Sequence, residues 1–167
     1  MLHLTQLMTQ QPPDLRPLSS AEQGCEMQPF ELMCQANFLS VRSALQAVTE
    51  ELQKSRGKNR YPTDETELVL AEVLNNIVEH GYKDNPEGEI KITLSYCIEG
   101  LRIVTQDTGV SMPGLTIPSP QPVETDVTLY NLPEGGFGWS LIHLMTSECF
   151  YQRKMDSNYL CFVIPPR

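Results

Sequence analysis

At 167 residues, 40% apolar and 20% charged, with a formal charge of −9, the chain has the size of about one domain. That acidity excludes broad electrostatic attraction to nucleic acid or anionic membrane, which needs clustered Lys and Arg. No stretch approaches the ~18 apolar residues of a membrane span, and Met1–Thr5 lacks the basic and apolar run of a secretion signal, so a soluble cytoplasmic protein is expected.

Residues 1–27 are rich in Gln, Pro and Ser, without helical or strand periodicity, and read as a tail or linker to one domain at 28–167. Phe30 to Cys34 alternates as a strand. Asn37 then caps a helix whose residues Phe38, Val41, Leu45, Val48 and Leu52 make one apolar stripe. Gly57 and its basic neighbours end that helix. Pro62-Thr63-Asp64 opens a second one, with Asp64 and Glu67 spaced like a capping box and an end near His80.

Two alternating segments, Glu89 to Ile98 and Leu101 to Thr105, pair across a tight turn at Glu99-Gly100. Five prolines between Gly109 and Glu134 forbid a regular element there, and so long a connection reads as an active-site lid. A helix from Trp139 to Met145 follows. A last hairpin joins Cys149–Lys154 to Tyr159–Ile164 around Asp156-Ser157-Asn158. The pattern predicts an α+β fold: a two-layer sandwich with helices on one face of a mixed, mostly antiparallel sheet. The five cysteines have no Cys-x-x-Cys spacing and read as small apolar fillers.

Three places carry chemistry. Glu72, Asn76 and His80, four apart, form a polar ridge on the second helix. An amide oxygen suits Mg²⁺, and a carboxylate one turn away can take a proton from an attacking hydroxyl. Asp107, where a strand ends, can accept from a purine amino group, and Gly109 leaves room for a flat ring. Gly135, Gly136 and Gly138 free backbone amides for a phosphate at a helix N-terminus, so that a polyanion can be held without a basic surface. Taken singly, each also fits a solvated helix face, a turn or a linker. No Walker or Rossmann glycine pattern occurs.

In this order, Glu72-x-x-x-Asn76, Asp107-x-Gly109, a long connection and Gly135-Gly136-Phe137-Gly138 resemble the Bergerat ATP-binding fold of the histidine-kinase-like (GHKL) superfamily. The string from Glu72 through Asn76 and His80 to Gly81 is most similar to the anti-sigma-factor serine kinases. The resemblance implies ATP and Mg²⁺ as cofactors, with Glu72 as general base and Asn76 as metal ligand. Asp107 would read adenine beside Gly109, while His80, Gly135, Gly136, Phe137, Gly138 and Trp139 would surround the nucleotide.

It further implies that Arg42 meets the partner, that the substrate is a serine on an anti-sigma-factor antagonist of STAS type, and that a sigma factor is sequestered. A homodimer through the edge of the first strand is also open. The chain departs from the family pattern in lacking a second glycine after Gly109, and in having Phe137 and Trp139 in its phosphate loop. Alternatives are a nucleotide-binding interaction module without kinase activity and a detached histidine-kinase catalytic domain. An aspartic protease built on Asp107-Thr108-Gly109 would leave the Glu72 helix without a role.

Overall fold

The computed structural model describes residues 28–54, 62–83, 85–120 and 137–166. Strand β1, Phe30–Gln35, alternates between half-buried and exposed residues, as its sequence does. Helix α1, Phe38–Lys54, starts where Asn37 Oδ1 accepts the Ser40 amide at 2.9 Å, a side-chain cap. Its buried stripe is Val41, Ala44, Val48 and Leu52; Leu45 is half-buried. Phe38, expected in that stripe, is 57% exposed. The side chain of a first helical residue tilts back toward the N-terminus, beyond the turns that pack.

Helix α2, Thr63–Asn76, has no side-chain cap, and the expected capping box is absent. Pro62 stands at the cap with no side-chain acceptor to offer; its carbonyl instead takes the Thr66 hydroxyl at 2.7 Å and the Thr66 amide at 3.0 Å. Glu67 accepts from the Thr49 hydroxyl at 3.2 Å, tying α2 to α1. The sequence pattern predicts a helix running on to His80. It is α-helical only to Asn76, continues as a π-helical turn over Ile77–Tyr82, and stops at Lys83, whose φ of 44° is left-handed.

Strands β2, Glu89–Cys97, and β3, Gly100–Asp107, form a hairpin turning at Ile98-Glu99, one residue earlier than the sequence suggests. Gly100 belongs to the strand, with φ 141°, and a Cβ there would meet the Ile164 carbonyl oxygen. After a short 3-10 turn at Pro113–Leu115, helix α3 spans Phe137–Met145 and begins before the expected Trp139. The final strands are β4, Glu148–Lys154, and β5, Ser157–Ile164. Their turn is Met155-Asp156, so Ser157 and Asn158, expected in the turn, lie in β5.

The sheet order is β1-β2-β3-β5-β4, and each pairing is antiparallel. One sheet face is lined by Ile90, Ile92, Leu94, Leu101, Ile103, Leu160, Phe162 and Ile164, all essentially inaccessible, which pack with Val69, Leu70, Val73 and Leu74 of α2 and Ile142 of α3. Each such side chain contributes ~1.5–3 kcal/mol relative to exposure. The architecture is therefore the expected α+β sandwich, with helices on one face of an antiparallel sheet. Among the described cysteines, burial pushes the Cys34 thiol up to about 11 and Cys149 to about 12, which keeps both protonated and inert at neutral pH.

Among the described residues, no helix is long and apolar enough to cross a membrane. The expected tail at 1–27, the basic loop near Gly57, the middle of the expected lid, Gly135 and Gly136 lie outside the described residues, as does the side chain of Phe137.

Candidate functional site

Beside the end of β3, between α2 and α3, lies a cavity of about 480 Å³, within the ordinary range for small-molecule sites of about 300–1,000 Å³. Asn76, His80, Asp107 and Trp139, four residues singled out from the sequence, line it. Segments distant in sequence thus converge where α3 packs on α2.

The α2 wall joins α3 at a glycine. A Cβ on Gly138 would sit 2.6 Å from Glu72 Oε2 and 3.8 Å from Asn76 Nδ2, so the start of α3 lies close against both side chains and a larger residue would make the Glu72 carboxylate shift. The Asn76 Nδ2 atom is buried without a hydrogen-bond partner among the described residues, a group that costs ~1–3 kcal/mol if left unmade. Glu72 stands one turn before Asn76 but is not among the residues lining the cavity. Arg42 is exposed on α1 and also lies outside it.

The floor is built around Asp107, which is 6% exposed. Its Oδ1 accepts from the Gly109 amide and from Asn158 Nδ2, each at 2.8 Å, and Oδ2 is outside these bonds. Burial pushes the carboxyl above the usual range; the Asn158 and Gly109 hydrogen bonds and the charge of Arg153 act against that rise. Asn158 Oδ1 in turn accepts from the Tyr151 hydroxyl and from Arg153, each at 2.7 Å.

Gly109 also has a reason within the fold. A Cβ there would lie 2.7 Å from the Gly81 carbonyl oxygen, so the glycine keeps the turn after β3 against the π turn, where the Val110 amide donates to that same oxygen at 2.7 Å. Tyr82 closes the arrangement: its hydroxyl accepts the Thr108 amide at 3.0 Å and donates to the Glu89 carbonyl at 2.8 Å. On the opposite wall, His143 Nε2 meets the Pro118 carbonyl at 2.9 Å, and its ring lies 6.4 Å from that of Trp139. His143 thereby fastens the segment after β3 to α3.

Sequence reasoning missed Lys83, Tyr151 and Asn158 in the lining and Arg153 behind it. Asn158 would have emerged from pairing β3 with β5 in register, since it stands opposite Asp107.

A family model described as the histidine kinase-like ATPase domain matches residues 34–164. The chain belongs to that family. Within it, the serine-protein kinase RsbW of Bacillus mycoides (strain KBAB4) is 31% identical over 86 residues, covering 51% of this chain and 53% of that protein. RsbW of Bacillus cereus (strain G9842) is 30% identical over 86 residues, with the same coverage. The chain spans about half the length of the curated relatives it matches. Among solved structures, the RsbU and RsbW domains of Rv1364c from Mycobacterium tuberculosis match with a TM-score of 0.54 at 15% identity, over 84% of this chain and 33% of that one. That likeness concerns the fold of this ATPase domain.

Proposed function

We propose that the chain is an ATP- and Mg²⁺-dependent serine protein kinase of the cytoplasm that acts as an anti-sigma factor. The observation that carries this reading is a cavity lined by Asn76, His80 and Trp139 over a buried acceptor, Asp107, with Glu72 and Gly138 close together beside Asn76 and outside the lining. The kinship with proteins called serine-protein kinases supports it. Residues 28–167 form the catalytic domain, and 1–27 a tail or linker.

In this reading Asp107 accepts from the adenine amino group, and His80 and Trp139 flank the nucleotide. Gly135, Gly136, Phe137 and Gly138 bring backbone amides to its phosphates. Asn76 holds the metal through its amide oxygen. Mg²⁺ is a hard cation that takes oxygen ligands, keeps several waters and is shared with substrate phosphates, so one protein oxygen at Asn76 leaves room for both. When bound, Mg²⁺ neutralises charge developing on the phosphates. Glu72 takes the proton from the substrate serine as its oxygen bonds to the γ-phosphorus and ADP leaves. The serine belongs to a STAS-type antagonist; Arg42, exposed on α1, meets that partner or the sigma factor.

Calorimetric titration of ATP into the purified protein, with and without Mg²⁺, tests the reading. Binding that needs the metal and is lost in Asn76→Ala is the expected result; unaltered affinity in that variant overturns it. Glu72→Ala should keep nucleotide and lose about 10²–10⁴-fold in transfer to the antagonist.

A second reading, a nucleotide-gated interaction module that transfers nothing, is favoured by the position of Glu72 outside the cavity lining. Wild-type levels of ATP binding without phosphorylation of any serine would select it.

A further inference from the structure

We infer that Arg153 and Tyr151 are positioning residues: they lock the Asn158 amide so that Asp107 meets the cavity as a hydrogen-bond acceptor, selecting a 6-aminopurine nucleotide over a 6-oxopurine one. This inference rests on the reading of the cavity as a nucleotide site.

The geometry allows one orientation of the amide. A guanidinium has donors and no acceptor, and Arg153 reaches Asn158 Oδ1 at 2.7 Å and the Gly109 carbonyl at 3.0 Å. The Tyr151 hydroxyl accepts the Met112 amide at 3.1 Å, which leaves its own proton for Asn158 Oδ1 at 2.7 Å. With two donors on that oxygen, the amide nitrogen faces Asp107 Oδ1 at 2.8 Å and the carbonyls of Gly109 and Val110 at 3.1 and 3.4 Å. A flipped amide would set its nitrogen against the guanidinium and its oxygen against a carboxylate and two carbonyls.

The order passes from Asn158 to Asp107. Oδ1 is taken by two donors, so the remaining carboxylate oxygen is what the floor offers. The Arg153 charge also favours the ionised carboxylate, against the effect of burial. An ionised acceptor pairs with a 6-amino group and repels a 6-oxo group. A site built to hydrogen-bond one functional group rejects the analogue lacking it, because the buried partner is then left unpaired.

The experiment is calorimetric titration of the full chain with ATP and with inosine triphosphate, both with Mg²⁺. Hypoxanthine carries the 6-oxo group without the 2-amino group of guanine, so the pair confines the difference to the N1–C6 edge of the base. The wild-type protein is expected to prefer ATP. Arg153→Met, which removes the donors and keeps an unbranched stem, is expected to shrink the ratio of the two affinities about 10-fold, and Arg153→Lys to restore part of it. Tyr151→Phe removes one of the two donors and takes over as the test if Arg153→Met does not fold. If wild type prefers ATP and the folded variants keep its ratio, the inference falls while the nucleotide site stands. If wild type binds neither nucleotide, the site itself is misassigned and the inference falls with it.

Discussion

Asp107 concentrates the conflict between folding and function in a single residue. Burial raises its pKa, so the folded protein holds that proton more tightly than the unfolded chain does. Its contribution to stability is therefore complete below the usual carboxylate range and is lost as pH rises through the raised folded value. Above that raised value the carboxylate is ionised at a cost, partly offset by Asn158, Gly109 and Arg153. Asp107→Asn should relieve that cost, because its Oδ1 can still accept both bonds while the charge disappears. We expect the melting temperature to rise by about 2–4 °C at pH 7, with the gain shrinking as pH falls into the raised range. ATP affinity should drop at the same time. Calorimetric melting across pH, beside a titration with ATP, measures both; a variant less stable than wild type at pH 7 would show that the carboxylate is a net stabiliser.

The elements divide into those whose cause is local and those whose cause lies elsewhere in the chain. The Asn37 cap, the α2 apolar ridge, the alternation of β2 and β3 and the glycine in the first turn of α3 were all legible, because each depends on residues a few positions apart. Asn76 and Asp107, which line the cavity, were singled out from local patterns in the same way. Asn158, Tyr151 and Arg153 were not. Asn158 meets Asp107 across 51 positions of sequence, through the pairing of β3 with β5, and nothing local marks it.

The π turn was equally hidden, since Ile77 to Tyr82 continue the apolar pattern of α2. What a π turn gains is the placement of the Gly81 carbonyl and the Tyr82 hydroxyl against the turn after β3. Such turns occur often at functional sites. The Tyr82 ring fits because Gly88 has no Cβ to meet it. Tyr82→Phe keeps the ring and removes three hydrogen bonds: one from the Thr108 amide, one with the Thr108 hydroxyl and one to the Glu89 carbonyl. With each bond worth about 0.5–1.5 kcal/mol, a melting temperature lower by several degrees and weaker ATP binding are expected. A melt that does not move would mean the ring alone holds the turn.

At the scale of the whole molecule, an acidic protein of net charge −9 is assigned a polyanionic ligand. Among the described residues Lys83 is the cavity's one lysine or arginine. In the proposed reading, attraction comes from short-range donors at the start of α3 and from the metal, while the chain as a whole repels the ligand at long range. These two parts respond oppositely to salt. Short-range contacts in a partly buried site are screened little, whereas repulsion across more than about 10 Å is largely screened at 0.1 M ionic strength. With Mg²⁺ saturating, raising KCl from about 0.05 to about 0.3 M should leave ATP affinity unchanged or increase it a few-fold, the reverse of the steep loss seen where a basic patch binds phosphate. Titrations along that series decide the matter. A 10-fold fall would require a cluster of cations around the phosphates, and the phosphate site would then have to be sought in side chains instead of in the backbone amides before Trp139.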